Sequence, residues 1–411
     1  MTNDLSIVLA TWNRREVLLH NLERLYALSA VDEATQVIVV DNASTDGTVT
    51  AVQEAFPQVE LVALTENRGS CAKALGIDRA RGELLLLLDD DSCPQPGSLE
   101  RMHVYFSARP RLAAAGFVVH LPDGRLESCA LPRVFVGCGV ALRREALRQA
   151  GNLDLDLFMI AEEYDLAFRL VADGWEVDVF ADLHVDHDKT PQARASEQRM
   201  QLDTRNNLLL AARYLPAAYE ADLRADWEQR YRWLAADNGC AAAFERGRAE
   251  AMQRYDNDRA AWARWRLDDD AVDHLCHFTD IGQRLAELRD LGVRRLVLAA
   301  LGKNILPFVR GAHAAGIELA AIVDRRFGGD DRVYRGIPVC TCLDGLSVDA
   351  DAVVVSNTSP AHAPGIAQRV EAETALPVHR WFGYDRPPFC AEPPAVEDLP
   401  DQPLRLPGVP V

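Results

Sequence analysis

The stretch Arg81–Pro96, RGELLLLLDDDSCPQP, sets five consecutive leucines between a turn pair and three aspartates. A short apolar run that is bounded by turn signals predicts a strand buried on both faces. Asp89, Asp90 and Asp91 follow this strand directly, and their mutual repulsion is costly unless a cation or water compensates it. Ligands of open α/β sheets bind just beyond the carboxyl ends of the strands. The stretch therefore predicts a divalent-metal site for a phosphate-bearing ligand, and oxygen-only ligation favours Mg²⁺ or Mn²⁺.

The same aspartates have a simpler interpretation as caps of the next helix. Ser92-Cys93-Pro94 is a candidate helix start, because serine is preferred before the first turn and proline within it. The carboxylates would then accept hydrogen bonds from backbone N–H groups and would bind no metal.

The chain before this stretch alternates between strand-like and helix-like segments. This β-α-β-α-β-α-β order predicts an α/β fold with a parallel, doubly wound sheet. Asp41 follows the second strand, so it is expected on the same carboxyl edge as the three aspartates. The predicted strands are Leu5–Ala10, Gln36–Val40 and Val59–Leu64, and the predicted helices are Glu16–Leu28, Thr48–Phe56 and Ser70–Arg79.

A second group of charged residues lies downstream, within Asn152–Trp175. Glu162 and Glu163 open a helical pattern of apolar residues. Asp165 and Arg169 are four residues apart in this pattern, so they share one side of the helix and are expected to form a structural ion pair. The elements predicted around this helix are strands at Leu112–His120 and Val134–Leu142, a helix at Arg143–Ala150 and a strand-like segment at Val177–His187.

The second half of the chain changes character twice. Residues 196–291 are mostly helical and polar, and their tryptophans are expected to pack between helices. From residue 292 the alternation returns as a small Rossmann-like unit, with Asp324 after its second strand. The predicted domains are 1–215, a helical connector at 216–291, the Rossmann-like unit at 292–385 and a proline-rich tail at 386–411.

Composition narrows the class of protein and its partners. The chain has 411 residues, of which 48% are hydrophobic and 26% charged, as in globular proteins with more than one domain. A net charge of −18 argues against a nucleic-acid partner and against broad adhesion to anionic membranes, but leaves local peripheral membrane contact open. The start MTNDLSIVLA predicts no signal peptide, and no apolar stretch reaches membrane-spanning length. Nine scattered cysteines suit reduced thiols, so we expect a cytoplasmic protein, at most peripheral at the inner face of the membrane.

Several motifs together resemble a known family. SIVLATWNRREVL, VIVVDNASTDGT, ENRGSCAKALGIDRARGELLLLLDDDS, VGCGVALRREAL and AEEYDLAFRLVADGW occur in the order seen in family-two glycosyltransferases of the GT-A fold. HVDHDK and DTRNNLLLAARY look like the end of the same domain and resemble rhamnosyl- and galactofuranosyltransferase-like members. The resemblance covers about residues 3–215. It implies an inverting transfer of a sugar from a nucleotide-sugar donor to the hydroxyl of a glycan or lipid-linked acceptor, with a divalent metal, Mn²⁺ or Mg²⁺.

The resemblance also implies roles for residues around the nucleotide. Thr11 lies in the loop that meets the nucleotide, and Asp41 matches the acid that reads the nucleobase, where a carboxylate accepts from a ring N–H. Asp89 matches the first acid of the D-x-D element, near ribose or metal, and Asp90 stands between the two acids. Asp91 matches the acid that binds metal directly.

His187 matches a histidine that closes the family's metal shell, with His184 as the reserve candidate. Arg68 and Lys73 lie near the same edge, where they either contact donor phosphates or are solvated surface charges.

For the catalytic base, the resemblance points to the acid pair at the start of the second charged helix. Glu163 matches the general base, which accepts the proton of the acceptor hydroxyl as its oxygen attacks the anomeric carbon. Most members carry aspartate here, so Glu162 remains the alternative. Neighbours on a helix point about 100° apart, so only one of the two faces the site well.

The second unit resembles the small N-terminal domains of sugar O-acyltransferases. Asp324 would be its ribose-binding acid, but its first turn has only Gly302 where dinucleotide-binding turns carry G-x-G-x-x-G. We therefore expect packing, acceptor binding or assembly, which leaves a homo-oligomer open. The leading hypothesis for the chain is a glycosyltransferase of surface glycan, glycolipid or glycoprotein synthesis. The alternative is a catalytically silent nucleotide-sugar-binding or scaffold subunit.

Overall fold

The structure, a computed structural model, describes residues 5–189, 197–343 and 349–381. The chain divides into two compact units. In the described part, unit 1 comprises residues 5–127 and 133–189, and unit 2 comprises residues 128–132, 197–343 and 349–381. The predicted domain boundaries stay predictions. The division between the units falls near residue 190, so the helix before residue 215 belongs to unit 2.

Four parallel strands form one half of the sheet of unit 1, in the order β3-β2-β1-β4. This half confirms the parallel arrangement expected from the strand–helix alternation. Register places Thr11 beside Asp41 and Ala10 beside Asp89, so the acids that end β2 and β4 share one edge. The strands are β1 (Leu5–Thr11), β2 (Gln36–Asp41), β3 (Glu60–Ala63) and β4 (Leu84–Asp89).

Helices connect these strands and cover the sheet. The helix after β1 buries Leu18, Leu22 and Leu25, whose spacing of three and four residues places them on one face. The predicted helix Ser70–Arg79 is shorter than expected, because its first turn is a 3₁₀ helix at Gly69–Ala72. The helices are α1 (Arg15–Tyr26), α2 (Thr48–Ala55) and α3 (Lys73–Ile77).

The other half of the sheet mixes strand directions. Its order continues β4-β8-β6-β9-β5, with β7 paired to β6. β8 is antiparallel to both of its neighbours, whereas β6 and β9 are parallel. These elements are β5 (Ser92–Pro94), α4 (Ser98–Ala108), β6 (Leu112–His120), β7 (Leu126–Glu127), β8 (Gly139–Arg143), α5 (Arg144–Ala150), α6 (Glu162–Ala172) and β9 (Glu176–His187).

Two local predictions are wrong. Ser92-Cys93-Pro94 does not start a helix: it is strand β5, paired antiparallel with β9, and α4 begins at Ser98 after the left-handed Gly97. The aspartates therefore do not cap that helix. The predicted strand Val134–Leu142 begins only at Gly139, because antiparallel pairing to β4 and β6 starts there.

The helices of unit 2 form its first half. Leu208, Leu209 and Ala212 of α7 pack with Ala251 and Trp262 of α9. The burial of Trp262 agrees with the packing role expected for the tryptophans. The helices are α7 (Glu197–Tyr214), α8 (Ala217–Asp237), α9 (Ala241–Trp262), α10 (Asp269–Cys276) and α11 (Phe278–Asp290).

A second sheet forms the other half of unit 2, in the order β12-β13-β11-β10-β14-β15. All its pairings are parallel except β12 with β13. β10 lies between β11 and β14. The chain continues from β10 to β11 on one side and from β14 to β15 on the other, so the connections after these two neighbouring strands run in opposite directions. The elements are β10 (Arg295–Ala299), α12 (Leu306–Ala314), β11 (Glu318–Val323), β12 (Val333–Tyr334), β13 (Ile337–Cys340), β14 (Ala352–Val355), α13 (Ala363–Glu373) and β15 (Val378–His379).

Candidate functional site

Lys73 lies at the carboxyl edge of the first sheet and is buried, with 4% of its surface exposed. Its Nζ donates to a carboxylate oxygen of Asp89 and, over 2.8 Å, to the carbonyl oxygen of Gly137. The surface-charge interpretation of Lys73 is therefore wrong. A buried ammonium needs a carboxylate partner, and Lys73 supplies the compensating charge for the first aspartate of the cluster.

Arg14 performs the same task for the other two aspartates. One of its guanidinium nitrogens donates to Asp90, and the other donates to Asp91 Oδ2 over 2.7 Å. The hydroxyl of Thr11 also donates to Asp90, over 2.7 Å. Burial nonetheless raises the pKa of Asp90 to about 7, against the attraction of Arg14. Thr11 and Asp90, which were predicted near the nucleotide, are thus joined to each other at the ends of β1 and β4.

His187, at the end of β9, is the centre of the cluster. Its Nε2 lies 3.1 Å from Asp91 Oδ1 and 3.9 Å from Asp89 Oδ2. Its Nδ1 lies 3.0 Å from Glu127 Oε2 and 3.4 Å from Cys138 Sγ. Burial opposes the charged imidazole, but hydrogen bonds to Asp91, Cys138 and Glu127 outweigh it and raise the pKa of His187 to about 12. Burial acts against the charged carboxylate of Asp91, yet its hydrogen bond to His187 lowers its pKa to about 2.

A metal ion fits this arrangement by its donor atoms. Among the described residues, one ligand atom from each of Asp89, Cys138 and His187 lies within 4.8 Å of the others. Carboxylate and imidazole suit divalent cations such as Mn²⁺, whereas the thiol is a softer donor. Asp91, predicted as a direct ligand, is not one of these three residues, but its Oδ1 lies 3.1 Å from His187 Nε2 while its Oδ2 pairs with Arg14, so its role as a ligand stays a prediction.

His184 is separate from this cluster. Its Nδ1 lies 3.0 Å from the Nε2 of His120, and the two rings are tilted against each other. Burial lowers the pKa of His184, so its neutral form is favoured. β9 is irregular between Val179 and His184. Alternate residues of a strand point to opposite faces, so His184 and His187, which are three residues apart, are expected on opposite faces of β9. The structure brings only His187 to the aspartates.

The loop before α6 has an unusual backbone. Phe158, Ile160 and Ala161 have φ values of 65°, 72° and 69°, in the left-handed region that non-glycine residues avoid. Phe158 also fixes the turn before α3, because its carbonyl oxygen accepts from the N–H of Cys71 over 3.1 Å. A Cβ at Gly69 would lie 2.2 Å from that same oxygen, so only glycine fits there. Such strained segments cluster at functional sites.

Glu162 and Glu163 begin α6 in different surroundings. Glu162 is buried, and its Oε1 accepts a hydrogen bond from the hydroxyl of Ser70. Glu163 is half-buried and packs against Gly137, where an added Cβ would lie 3.3 Å from Glu163 Oε1. Burial, and then repulsion from Glu162, raises the pKa of Glu163 to about 8. A carboxyl with this pKa changes its protonation state close to neutral pH.

Asp41 is 1% exposed and only partly satisfied by the protein. Its Oδ2 accepts from the backbone N–H of Ser44 over 2.9 Å. Its Oδ1 is buried and has no hydrogen-bond partner within the part of the chain that the structure describes. An unsatisfied buried acceptor is costly, so this oxygen is suited to a donor group of a ligand.

Arg68, by contrast, is exposed, and its guanidinium pairs with Glu66. Of its two predicted roles, this arrangement agrees with a solvated surface charge. Contact between Arg68 and a donor phosphate stays a prediction.

The predicted ion pair within α6 is present. Arg169 Nη2 lies 2.9 Å from Asp165 Oδ2, and both side chains are almost completely buried. Arg169 also donates to the carbonyl oxygens of Ala150 and Asn152 over 2.6 and 2.8 Å. The pair therefore anchors α6 to the end of α5 and holds the two glutamates in place.

Family models match this part of the chain. Residues 6–149 match the model Glycosyl transferase family 2, and residues 118–267 match Glycosyl transferase family group 2. Residues 6–149 therefore carry a domain of glycosyltransferase family 2. The three aspartates lie in the first matched segment and the two glutamates in the second. The resemblance predicted from the motifs is thus confirmed at the level of the family.

Curated proteins similar to the family 2 domain align with parts of the chain. The succinoglycan biosynthesis protein ExoO of Rhizobium meliloti is 36% identical over 24% of this chain, and the chain spans only 28% of that protein's length. An N-acetylglucosaminyl-diphospho-decaprenol L-rhamnosyltransferase of Mycobacterium tuberculosis is 26% identical and covers 43% of this chain and 73% of its own length.

Solved structures similar to the chain include two glycosyltransferases at low sequence identity. A mannosyltransferase of Pyrobaculum calidifontis in complex with GDP-Man and Mn²⁺ covers 64% of this chain and 84% of its own, with 22% identity and a TM-score of 0.43. S. aureus TarS residues 1–349 in complex with UDP-GlcNAc covers 76% and 92%, with 14% identity and a TM-score of 0.44. Within the described ranges of the present chain, no helix has the length and apolarity needed to cross a bilayer.

Sequence reasoning missed three residues of the family 2 domain's acid cluster. Arg14 was passed over as part of a loop, and Glu127 and Cys138 carry no motif spacing that would mark them. Glu127 reaches His187 because β7 pairs with β6, and β6 in turn pairs with β9. Such neighbours depend on sheet pairing between distant segments. A glycine-flanked cysteine in VGCGV was the one available signal.

Proposed function

We propose that this chain is an inverting glycosyltransferase. It moves a sugar from a nucleotide-diphosphate sugar to an acceptor hydroxyl, in the synthesis of a surface glycan, glycolipid or glycoprotein. One observation carries the proposal: Lys73 joins the two groups of acids. Its Nζ binds both Asp89 and the carbonyl of Gly137, and Gly137 packs against Glu163. A candidate leaving-group site and a candidate base are thus neighbours at one sheet edge.

The nucleotide has a natural place at the end of β2. Asp41 Oδ1 is a buried acceptor, and a nucleobase with a ring N–H would satisfy it. In the strand order β2-β1-β4-β8-β6-β9, Asp89 on β4 lies between Asp41 on β2 and His187 on β9. We assign base recognition to Asp41 and contact with the ribose or the metal to Asp89. Thr11 acts on the nucleotide indirectly, because its hydroxyl is committed to Asp90.

A divalent cation, Mn²⁺ or Mg²⁺, is part of the proposal. Asp89 and His187 would hold it, with Asp91 or Cys138 completing the protein ligands. A cation held by these residues would supply Lewis-acid neutralisation of the charge on the diphosphate leaving group. His187 then has to give up its proton, because imidazole binds metal in its neutral form.

Glu163 is the proposed base. It accepts the proton of the acceptor hydroxyl while the oxygen attacks the anomeric carbon. A pKa of about 8 makes the ionised carboxylate a stronger base than an ordinary glutamate, but the group has to lose its own proton first, so transfer should speed up as pH rises towards about 8. Glu162 is the poorer candidate, because it is more buried and one of its oxygens already accepts from Ser70. α6 is anchored by Arg169, so the position of the base is fixed before the acceptor arrives.

The partners follow from the same chemistry. The rhamnosyltransferase relative is named for a diphosphate-linked decaprenol acceptor. We therefore propose a glycan or a lipid-linked acceptor, and a cytoplasmic protein with peripheral contact at the membrane. A homo-oligomer stays a prediction. The alternative of a silent nucleotide-sugar-binding subunit is favoured by one feature, namely glutamate at the base position where the family usually has aspartate.

A screen of nucleotide-sugars for hydrolysis without acceptor tests the proposal. We expect one donor to be hydrolysed with Mn²⁺ or Mg²⁺ and to be spared after chelation. Asp91→Asn should remove the metal dependence while the protein stays folded, since the change removes charge and keeps shape. Asp123→Asn, in an exposed turn of the same unit, is the matched control and should behave as wild type.

Titration calorimetry with the nucleoside diphosphate of that donor completes the test. Equal affinity with and without metal would contradict the metal assignment. Metal-dependent binding without hydrolysis of any donor, and without transfer to any acceptor, would favour the silent subunit.

A further inference from the structure

Unit 2 encloses a cavity of about 590 Å³ at the carboxyl edge of its sheet. One wall is the turn after β10, with Gly302 and Lys303, and the loop after β14, with Asn357 and Ser359. The other wall comes from α7 and α8. Ligands of parallel sheets bind where the chain leaves neighbouring strands in opposite directions, and here that point lies between β10 and β14. The volume is within the range of sites that take small organic molecules.

The lining of this cavity is strongly cationic. Four of its residues are arginine or lysine, and Asp203 is the one acid among the described lining residues. Burial raises the pKa of Asp203, although the four cations act to lower it. The cavity therefore has an excess of positive charge inside a protein whose net charge is −18. The four cations are Arg199, Arg230, Lys303 and Arg326.

Two of these cations are held in place by the protein. Arg230 donates to the carbonyl oxygen of Leu301 and stacks over the ring of Phe327, with 4.3 Å from Cζ to the ring centroid. Lys303 Nζ binds the side-chain oxygen of Asn207, and its carbonyl oxygen accepts from the indole of Trp227 over 2.9 Å. Burial lowers the pKa of Arg230, so its charge is costly where it stands. An anion in the cavity would compensate that cost.

The turn and the acid that a dinucleotide would use are already occupied. Asp324 Oδ2 accepts from Leu301 N over 2.8 Å, and its Oδ1 accepts from the N–H groups of Arg326 and Phe327. This carboxylate thus already accepts three backbone N–H groups, which leaves it at most one acceptor position for a ribose hydroxyl. A Cβ at Gly302 would lie 3.0 Å from the carbonyl oxygen of Ser356, so this glycine serves the packing of two loops. The ribose-binding role considered for Asp324 is therefore not supported.

From this geometry we propose that unit 2 holds a second ligand site, which binds a phosphorylated small molecule through its phosphate or diphosphate group. Guanidinium groups match phosphate oxygens in pairs, and Arg199, Arg230 and Arg326 present three of them. Asn357 and the buried Ser359 supply polar contacts for the remainder of the ligand. The proposal is independent of the sugar-transfer reaction. Two sources share the required chemistry, a soluble nucleotide or sugar phosphate and a lipid diphosphate.

Binding of inorganic pyrophosphate to the full chain tests the proposal. The protein is first treated with EDTA, which removes metal and so suppresses metal-dependent binding in unit 1. It is then dialysed, because EDTA is itself an anion that could occupy the cavity. We expect saturable binding by calorimetry that weakens as salt is added. Arg326→Glu should weaken it by at least about tenfold, a difference of about 1.4 kcal/mol. Asp203→Asn should strengthen it, since it removes the one acid.

Arg325→Glu is the matched control. Arg325 is the neighbour of Arg326, is exposed and pairs with Glu373, and it does not line the cavity. It changes the net charge of the chain by the same amount, so it separates local from overall electrostatics. If Arg326→Glu fails to fold, as judged by its thermal transition, Arg199→Glu replaces it with the same expectation.

Two outcomes would overturn the site: no pyrophosphate binding by the wild-type protein, or equal affinity in wild type, Arg326→Glu and Arg199→Glu. Parallel titrations with UDP, glucose 1-phosphate and farnesyl diphosphate distinguish the sources. Tighter binding of UDP or glucose 1-phosphate than of pyrophosphate supports a soluble ligand, and tighter binding of farnesyl diphosphate supports a lipid carrier. If the wild-type protein binds pyrophosphate but transfers no sugar, the proposed function is overturned and the second site is not.

Discussion

The carboxyl edges of the two sheets follow the same rule of chain topology but carry opposite charge. In unit 1 the edge presents Asp41, three aspartates after β4 and the glutamates of α6. In unit 2 the corresponding edge presents Lys303 and Arg326, with Asp203 as the acid facing them. Topology decides where a ligand can bind, and the residues placed there decide its chemistry. Carboxylates at an edge can bind a metal ion or act as a base, whereas cationic side chains at an edge can bind an anion.

The largest expected effect lies at the acidic edge. Glu163→Gln keeps the volume of the side chain but cannot accept a proton, so the transfer rate should fall by 10²–10⁴, roughly 3–5 kcal/mol of barrier. Donor affinity should hardly change, because Glu163 is proposed to contact the acceptor and not the nucleotide. Transfer kinetics with a verified donor and acceptor measure both quantities.

Glu162→Gln is the internal comparison and should cost much less. If it abolishes transfer while Glu163→Gln does not, the base is the other glutamate. If neither change matters, α6 is not the catalytic helix and the acidic edge lacks its proposed function.

A second contrast concerns ion pairs at the same spacing in the two units. Arg169→Met removes the guanidinium from Asp165, which is 1% exposed, and should cost about 3–5 kcal/mol in the free energy of unfolding. In unit 2, Arg232 pairs with Glu228 over 2.8 Å, also four residues apart, but its side chain is 58% exposed. Arg232→Met should cost no more than about 1 kcal/mol. Urea unfolding followed by circular dichroism compares them, and equal losses would contradict the structural role of the buried pair.

The acidic edge should also make stability depend on pH. The pKa of Glu163 is raised from 4.5 to about 8, so the folded protein keeps this proton over a range where the unfolded chain has lost it. The stability that results is present below about pH 4.5 and is lost as pH rises towards about 8. One proton of difference changes the free energy of unfolding by about 1.4 kcal/mol per pH unit.

Glu163→Gln lacks this ionisation and should gain stability relative to wild type as the pH rises through that window. Glu145→Gln, at an exposed position in the first turn of α5, should run parallel to wild type. A constant difference between Glu163→Gln and wild type at all pH values would show that the raised pKa is absent.

The smallest expected effect is none. NAD and NADP should not stabilise the full protein, because Asp324 is already bonded to three backbone N–H groups. A dinucleotide at a hundred times its dissociation constant would add about 2.7 kcal/mol. Thermal melting with either dinucleotide checks this, and pyrophosphate in the same assay is the positive comparison. A clear rise in melting temperature with NAD would show that unit 2 binds a dinucleotide, contrary to this prediction.

The sequence was informative where local pattern determines structure. Five leucines in a row can only be a buried strand or a buried helix segment, and the aspartates and turns around them identify the strand. The parallel direction of the first four strands followed from their alternation with helices. Asp41 and Asp89 could therefore be assigned to one edge before any coordinates, as the register confirms.

The sequence failed where distant segments determine structure. Ser92 belongs to β5 because β9 pairs with it, and that pairing is separated by almost a hundred residues. The burial of Lys73 depends on a 3₁₀ turn and on Gly137, neither of which leaves a periodic signal. Both rest on tertiary contacts that override local propensity.

The pairing of Arg14 with two aspartates bears on whether the protein folds before it binds a metal. One guanidinium spans two adjacent carboxylates, while Lys73 and His187 serve the remaining negative charge. The chain thus supplies its own counter-ions to all three aspartates, so we expect it to fold without a dissolved cation. Under the metal dependence proposed above, a cell short of manganese would still accumulate folded molecules, and these would begin work when the ion returns, without new synthesis.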